Sequence, residues 1–161
     1  MNTAKSIYEA SLSKSFKAKL IQAPDEVKEF YSELKNEVLS YKGTRSRISW
    51  HFDSINSKRD QVLKFVIKGK TLCLYYPLNA SSYLDTKFKV EKVGAVRYKD
   101  VPCLYRIKNK KRVRYAKELI ADVAFNLSLV KGKQKKENYG QIPYESNESL
   151  IKKGLIKEIK K

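Results

Sequence analysis

The sequence predicts a small α+β domain, in which an antiparallel β-meander sheet of about five to six strands carries two long helices on one face. Two segments repeat apolar residues with the period of a helix, and the segments between them alternate with the period of a strand. The 161 residues, 42% of them apolar, are enough for one hydrophobic core and too few for two. We therefore expect a single domain over residues 15–130, in the order β-α-β-β-β-β-β-α, after an N-terminal extension over residues 1–14.

The first two predicted elements are an edge strand and a helix. Apolar and basic side chains alternate over residues 15–22, as in a strand half exposed to water. Pro24, Asp25 and Glu26 are then typical of a helix N-terminus, and Gly43 is placed to end that helix. Its apolar stripe consists of Val27, Phe30, Tyr31, Leu34, Val38 and Tyr41.

Strands are predicted to follow the helix. In residues 47–52, Ile48, Trp50 and Phe52 alternate with polar residues, and a polar loop over residues 56–58 follows. A hairpin from Gln61 to Leu78 turns at Gly69 and Lys70, where glycine tolerates a positive φ. Its register pairs Ile67 with Leu72, Phe65 with Leu74 and Leu63 with Tyr76 on the core side, and Lys68 with Thr71, Val66 with Cys73 and Lys64 with Tyr75 on the other.

The remaining elements complete the meander and the helical layer. After a loop over residues 79–86, Phe88 and Val90 indicate one strand, and residues 103–108 indicate the last. The second long helix begins after Asn109, a favourable N-cap, and continues towards Gly132. Its apolar face is Val113, Ala116, Ile120, Val123, Ala124 and Leu127. Residues 131–161 are predicted to be a basic linker and a C-terminal tail with a short helix near 147–154.

The charge balance predicts an anionic partner. Lysine and arginine number 35 against 17 acidic residues, a net charge of +18 with a sequence pI near 9.8. Residues 1–42 hold 7 basic and 6 acidic groups, which leaves 28 and 11 for the rest of the chain. Such a skew favours a charged surface that binds nucleic acid or another polyanion. The alternative is an AT-rich genome that favours lysine codons.

Cations cluster around the start of the second long helix. Lys110, Lys111 and Arg112 occupy its first turn, where they oppose the helix dipole, and each costs about 0.3–1 kcal/mol at an exposed helix end. A phosphate would reverse that cost, because the free backbone N–H groups, the dipole and the side chains attract the same group. The alternative is a solvated turn whose long side chains extend into water. The predicted anion-binding residues of this cluster are Arg106, Lys108, Lys110, Lys111, Arg112, Arg114 and Lys117.

A second predicted patch lies on the sheet face away from the helices. The strand alternation places the cations Arg47, Lys64, Lys68 and Arg106 there, together with Ser49, His51 and the aromatic ring of Tyr75. Such a face can follow a phosphate backbone and stack a base. The alternative is that Tyr75 simply covers Val66 and Cys73.

Catalytic and metal sites are not indicated. His51, Asp53 and Cys73 lack the spacing that would mark a nucleophile with its base, and one histidine with two cysteines supplies too few ligands for structural zinc. The isolated glycines form no phosphate-cradling loop, so no cofactor is predicted. A divalent-metal nuclease built on Asp85 and Glu91, with Lys89 or Lys92, remains an alternative.

Cellular location is predicted from the cysteines and the hydropathy. Cys73 and Cys103 lie in apolar strand-like runs, which favours two buried thiols in a reducing compartment over a disulfide. No stretch has the character of a signal peptide or the roughly 18 apolar residues of a membrane span. We therefore expect a cytoplasmic protein with no membrane partner.

Five segments of the sequence carry a resemblance to other proteins. They are Ser46–Trp50, Lys68–Tyr75, Asp85–Val90, Pro102–Lys108 and the ending Ser149–Lys157. In these strings the chain resembles an uncharacterised family of small basic bacterial proteins, and the likeness covers roughly residues 16–127 plus the ending. The helix, meander, helix layout is also similar to DNA-binding domains of the MmcQ/YjbR type. The family resemblance implies one coherent domain and assigns no site residue.

Together these patterns predict a non-enzymatic protein that binds DNA, RNA or a ribonucleoprotein through a basic surface. The runner-up is a protein-interaction module or inhibitor that docks on an acidic protein, and the nuclease is third.

Overall fold

The computed structural model describes residues 11–159, so the first ten residues of the predicted extension lie outside the described part. A six-stranded antiparallel open sheet in the order β2-β3-β4-β5-β7-β6 forms the centre, and a two-stranded sheet pairs β1 with β8. The elements are β1 (Leu12–Lys14), α1 (Phe16–Ile21), α2 (Asp25–Leu39), β2 (Thr44–Ile48), β3 (Asp53–Ser57), β4 (Asp60–Lys68), β5 (Thr71–Tyr76), β6 (Glu91–Lys92), β7 (Cys103–Ile107), α3 (Lys110–Asn126), α4 (Asn147–Lys152) and β8 (Ile156–Glu158). The predicted α+β class is confirmed.

The two long helices share one face of the central sheet. The apolar stripes of α2 and α3 join inward residues of the strands in a single buried cluster that includes Leu34, Phe65 and Ile120. Asn109 caps α3 as predicted, because its side chain accepts a hydrogen bond of 3.0 Å from the Arg112 N–H. The opposite face of the sheet, here called the outer face, is not covered by α2 or α3.

The hairpin of β4 and β5 has the predicted register. Lys64 pairs with Tyr75, Phe65 with Leu74, Val66 with Cys73, Ile67 with Leu72 and Lys68 with Thr71. Gly69 has φ +61°, the left-handed conformation that this turn requires of glycine. Along β4, Lys64, Val66 and Lys68 therefore point to the outer face.

The predicted strand over residues 15–22 is wrong. Residues 16–21 form α1, with Ser15 as its N-cap, since the Ser15 hydroxyl accepts a hydrogen bond of 3.1 Å from the Ala18 N–H. Phe16 and Leu20 are four positions apart and both buried, so the pattern that alternates also fits one helical face. A short segment of this kind satisfies both periods.

Four further boundaries differ from the predictions. The strand predicted over residues 47–52 ends at Ile48, and the chain turns through residues 49–52 into β3, which was missed. Helix α2 ends at Leu39, and Gly43, with φ +82°, lies in the turn that leads into β2. Phe88 and Val90 lie outside strands, since β6 contains only Glu91 and Lys92. Helix α3 ends at Asn126, six residues before Gly132.

Residues 130–142, the strap, lie along α2 although part of them was predicted to be a linker. Polar side chains of α2 hold the strap backbone: Asn36 donates to the Glu137 carbonyl at 2.6 Å and accepts from the Glu137 N–H at 2.9 Å. Lys28 Nζ donates to the Ile142 carbonyl at 2.7 Å. The packing of the domain therefore continues beyond residue 130.

The tail docks on the start of the domain. The short helix near residues 147–154 is present as α4, and β8 pairs with β1 so that Lys14 lies opposite Ile156. Leu150 and Ile156 are buried against Ala18 and Ile21 of α1. Cys73 and Cys103 are both buried and free, as predicted. No helix in the described part has the length and apolarity needed to cross a membrane.

Candidate nucleic-acid interface

The segment over residues 93–102 covers one half of the outer face. Tyr98 and Val101 are buried against Val66, Cys73 and Tyr75, and burial raises the pKa of Tyr75 to about 12. Tyr75 has no exposed surface, so it cannot stack a base as predicted. Its role is the stated alternative, since it covers Val66 and Cys73.

Lys64 is buried as well, against the prediction. Its Nζ lies 4.1 Å from the centroid of the Phe52 ring and donates to the Arg97 carbonyl at 3.4 Å. Burial lowers the pKa of Lys64, Asp100 acts in the opposite direction, and Arg97 lowers it further. Lys64 thus contributes positive potential beneath the surface and makes few contacts with solvent.

The uncovered half of the outer face is a concave groove across β2, β3 and β4, here called the outer groove. It encloses about 710 Å³, and no carboxylate of the described residues lines it. Arg45 and Arg47 point into it because they pair with Asn56 and Ser54, which face outwards. Its lining residues are Arg45, Ser46, Arg47, Ser49, Phe52, Ser54, Asn56, Lys58, Gln61 and Lys64. Short polar side chains form its floor, and exposed cations stand at its sides.

A second group of cations lies where α1 approaches the β4–β5 turn. It consists of Lys14, Lys19, Lys68 and Lys70 and is here called the hairpin-tip cluster. Burial lowers the pKa of Lys19, and the neighbouring charges of Lys14, Lys68 and Arg97 lower it further. Lys70 lines the same depression as Lys14 and Lys19. Mutual repulsion of this kind is relieved when an anion binds.

His51 lies beside this cluster, in the turn between β2 and β3. It is exposed, and its pKa is lowered by partial burial, by Arg97 and by Lys19. Arg97 lowers the pKa of both Lys19 and Lys64, so it lies between the hairpin-tip cluster and the Lys64 edge of the outer groove. Arg97 therefore connects the two regions. Lys68, predicted from the strand pattern, is exposed with its Nζ 5.5 Å from the Tyr75 ring centroid.

The predicted cations around the start of α3 divide into two groups. Arg106 is paired with Glu91 at 2.6 Å and Lys117 with Glu33 at 2.7 Å. Arg112 donates to the Arg106 carbonyl at 3.0 Å, and its guanidinium lies 5.3 Å from the Tyr105 ring centroid. These three side chains have partners inside the protein.

The other four form the helix-start cluster. Lys108, Lys110, Lys111 and Arg114 are exposed, and none is in an ion pair with a described residue. Lys68 and Lys108 both act on the carboxylate of Glu91, whose pKa is lowered first by its hydrogen bond from Arg106. The helix-start cluster is therefore adjacent to the hairpin-tip cluster.

No family model, curated protein or solved structure matches this chain. The resemblance to a family of small basic bacterial proteins stays a prediction.

Among the described elements, carboxylates are most frequent on helix α2. Helix α2 alone carries five of them, and others lie on α3, on the strap and near α4. The five on α2 are Asp25, Glu26, Glu29, Glu33 and Glu37. With Lys28 and Lys35 included, α2 has a net charge of −3, whereas α3 and the strap each have a net charge of +3.

Sequence reasoning missed Arg45, Lys58, Lys19 and Arg97. Arg45 has the same strand alternation as Arg47, so extending β2 by two residues would have found it. Lys58 has φ +54° in the turn between β3 and β4, a strand pair that was not predicted. Lys19 and Arg97 join the surface through tertiary packing, which no local pattern indicates.

Cys73, Asp53 and Glu91, which were considered as candidates for catalysis, are each buried or paired with other side chains. No group of three or more His, Cys, Asp or Glu residues that could hold a metal ion occurs in residues 11–159. Burial raises the pKa of Cys73, and Asp53 lies in the core on the other side of the sheet, hydrogen-bonded to Tyr31. Glu91, the nuclease candidate, is held by Arg106.

Proposed function

We propose that the protein binds nucleic acid non-enzymatically along its outer face and the adjoining end of the sheet at the β4–β5 turn, with the outer groove, the hairpin-tip cluster and the helix-start cluster as one phosphate-binding track. The observation that carries the proposal is the gathering of exposed cations around an outer groove that no described carboxylate lines. A polyanion that approaches such a molecule is oriented before contact.

The dimensions of the track suit an extended backbone. The outer groove begins near Lys58, and Lys68 lies at the other end of β4, nine residues long. At about 3.3 Å per residue this distance is roughly 30 Å, which spans several phosphates. Serine and asparagine side chains on the groove floor offer hydrogen bonds to phosphate or sugar.

The exposed part of the track contains few aromatic rings. Tyr75 is covered, and Phe52 is half-buried under the Lys64 ammonium. Base stacking therefore contributes little, and the expected binding is electrostatic with weak sequence preference.

Fluorescence anisotropy with labelled single-stranded and duplex DNA and RNA tests the proposal. At about 50 mM salt we expect binding whose log affinity falls linearly with log salt concentration. The double variant Arg45→Ala/Arg47→Ala is expected to bind about tenfold more weakly and to give a shallower slope. The matched control Lys136→Ala/Lys152→Ala removes two exposed cations outside the track and should weaken binding much less.

Undetectable binding to all four nucleic acids at that salt concentration would refute the proposal. Equally weakened binding in both double variants would show that net charge, and not this track, drives association. A partner captured through Arg45 and Arg47 that resists nuclease treatment would instead support the runner-up, an acidic protein surface.

A further inference from the structure

On the helical side of the sheet, away from the proposed track, lies a small cavity of about 270 Å³. Its walls are aliphatic and come from three separate segments: α1, the end of β2 and the strap. The wall residues are Leu20, Ile21, Ile48 and Ile142. The volume is near the lower end of ligand pockets, about 300 Å³.

The floor of the cavity is a buried polar network around Asp53. Asp53 Oδ2 accepts from the Tyr31 hydroxyl at 2.5 Å and from Lys35 Nζ at 2.9 Å, and its Oδ1 accepts from the Ser46 hydroxyl at 2.5 Å. Lys35 also donates to the Tyr31 oxygen at 2.9 Å. The carboxylate therefore accepts from three donors, and Asp53 itself does not line the cavity, whereas Tyr31 and Lys35 do.

Lys35, by contrast, retains donor capacity. An ammonium has three N–H donors, and two are used by Asp53 and Tyr31. The third has no hydrogen-bond acceptor among the described residues, and the centroid of the Tyr139 ring lies 4.6 Å from Nζ. Lys35 lines the cavity although it is only 5% exposed, so the cavity offers a buried cationic donor in aliphatic surroundings.

The mouth of the cavity has the same sign of charge. Lys17 lines the cavity and is exposed, and Ile48, also at the mouth, is 39% exposed. No carboxylate is among the described lining residues. An anionic head group would thus meet cations at the mouth and at the floor, and an aliphatic wall would surround the rest of the molecule.

Stability alone gives no reason for this network. A buried ion pair adds little net stability, because desolvation of both charges offsets their attraction. A cavity with aliphatic walls and a few convergent polar groups is instead typical of a small-molecule site.

We propose that this cavity binds a small carboxylate with an apolar body, its carboxylate held by Lys35 or Lys17 and its body packed between α1, Ile48 and the strap. This site is independent of nucleic-acid binding, because none of its lining residues belongs to the proposed track.

Isothermal titration with octanoate tests the proposal, with octylammonium and octanol as probes of the same chain length. Octanoate should bind at least about tenfold more tightly than octylammonium. The variant Ile48→Trp fills the mouth from an exposed position and should weaken octanoate binding about tenfold or more. Leu84→Trp, which enlarges another exposed apolar residue, is the matched control and should leave binding unchanged.

Lys17→Gln tests the charge at the mouth without disturbing the core, and binding about threefold weaker is expected. The proposal is overturned if octanoate fails to bind at about 5 mM, if octylammonium binds equally well, or if Ile48→Trp binds as tightly as the parent protein.

Discussion

The ring of Tyr98 stacks on the ring of Tyr75, with centroids 3.9 Å apart and planes 8° from parallel. This packing removes Tyr75 from solvent and at the same time places Arg97, the neighbour of Tyr98 in sequence, among the cations of the hairpin tip. The outer face thus has a guanidinium available to a ligand in place of an aromatic ring. Phosphate binding, and not base stacking, is the chemistry that such a surface favours.

The helix-start cluster leads to a prediction in which stability and binding change in opposite directions. Lys110 and Lys111 occupy the first turn of α3, where each opposes the helix dipole at a cost of about 0.3–1 kcal/mol. Lys110→Ala/Lys111→Ala should therefore raise the free energy of unfolding by about 1 kcal/mol, measured by urea denaturation. The same variant should weaken nucleic-acid binding and reduce the salt slope by roughly 0.9 for each phosphate that is no longer neutralised.

A matched variant separates the two effects. Lys136→Ala/Lys152→Ala removes the same charge away from the start of α3 and should leave the salt slope unchanged. An unaltered slope in Lys110→Ala/Lys111→Ala would exclude the helix-start cluster from the interface, whatever its effect on stability.

The parts of the fold that were predicted correctly depend on neighbours in sequence. The β4–β5 register follows from alternation on both sides of Gly69, and α3 follows from Asn109 and a continuous apolar stripe. Strand β3 was missed because Asp53 and Ser54, which are buried, are of residue types common in loops. Asp53 is satisfied by Tyr31, Lys35 and Ser46, and no local pattern shows that these partners will be near.

The candidate site was predictable to the extent that it depends on strand alternation and local charge. Arg47, Lys68 and the exposed cations at the start of α3 followed from those two signals. The burial of Tyr75 and Lys64 depends on residues 93–102 folding back over the sheet, a long-range event. The pairing of Lys117 with Glu33 joins α3 to α2, and a contact between residues so far apart in the sequence leaves no local pattern.

His51 predicts a pH dependence of binding. Partial burial and the charges of Arg97 and Lys19 lower its pKa below the usual 6.5 in the free protein. A bound phosphate favours the protonated form, so the pKa rises in the complex and a proton is taken up. Affinity should therefore increase as pH falls through the interval between the two pKa values, and become independent of pH above it.

Anisotropy titrations from about pH 7.5 to pH 5.5 measure this effect. The variant His51→Gln keeps a polar side chain and should remove the pH-dependent part while leaving the affinity at the higher pH nearly unchanged. A parent protein whose affinity is constant over this range would show that no phosphate lies near His51.

Two buried tyrosines predict opposite responses to removal of a hydroxyl. The Tyr31 hydroxyl is hydrogen-bonded to Asp53 and Lys35, and burial and Asp53 raise its pKa far above the usual value. Tyr31→Phe should reduce the free energy of unfolding by about 1–3 kcal/mol, because it leaves a buried charge short of a partner. The Tyr105 hydroxyl is buried and has no hydrogen-bond partner among residues 11–159.

Tyr105→Phe should therefore be neutral or stabilising by up to about 1 kcal/mol, since it removes an unsatisfied buried group. Urea denaturation of both variants gives the comparison. A Tyr105→Phe variant as destabilised as Tyr31→Phe would mean that the Tyr105 hydroxyl has a partner in solution, such as a buried water.

Gly140 predicts how the strap is attached to α2. A Cβ at this position would lie 2.5 Å from the Lys28 carbonyl oxygen. This oxygen belongs to the backbone, so no side-chain rotation can remove the clash. Gly140→Ala should therefore cost about 1–3 kcal/mol and loosen the strap without unfolding the sheet. The amide protons of Glu137 and Tyr139, which are bonded to Asn36 and Ser32, should exchange faster.

Gly94→Ala is the matched control, because a Cβ at Gly94 meets no atom of the described residues within 4 Å and the backbone there has no positive φ. Hydrogen exchange should then be unchanged at Glu137 and Tyr139. Tyr139 and Ile142 also line the cavity that contains Lys35, so Gly140→Ala should weaken octanoate binding as well. Nucleic-acid binding on the other face of the sheet should be retained in this variant. If exchange at both amides in Gly140→Ala matched the parent protein, the close approach of the strap to α2 would not exist in solution.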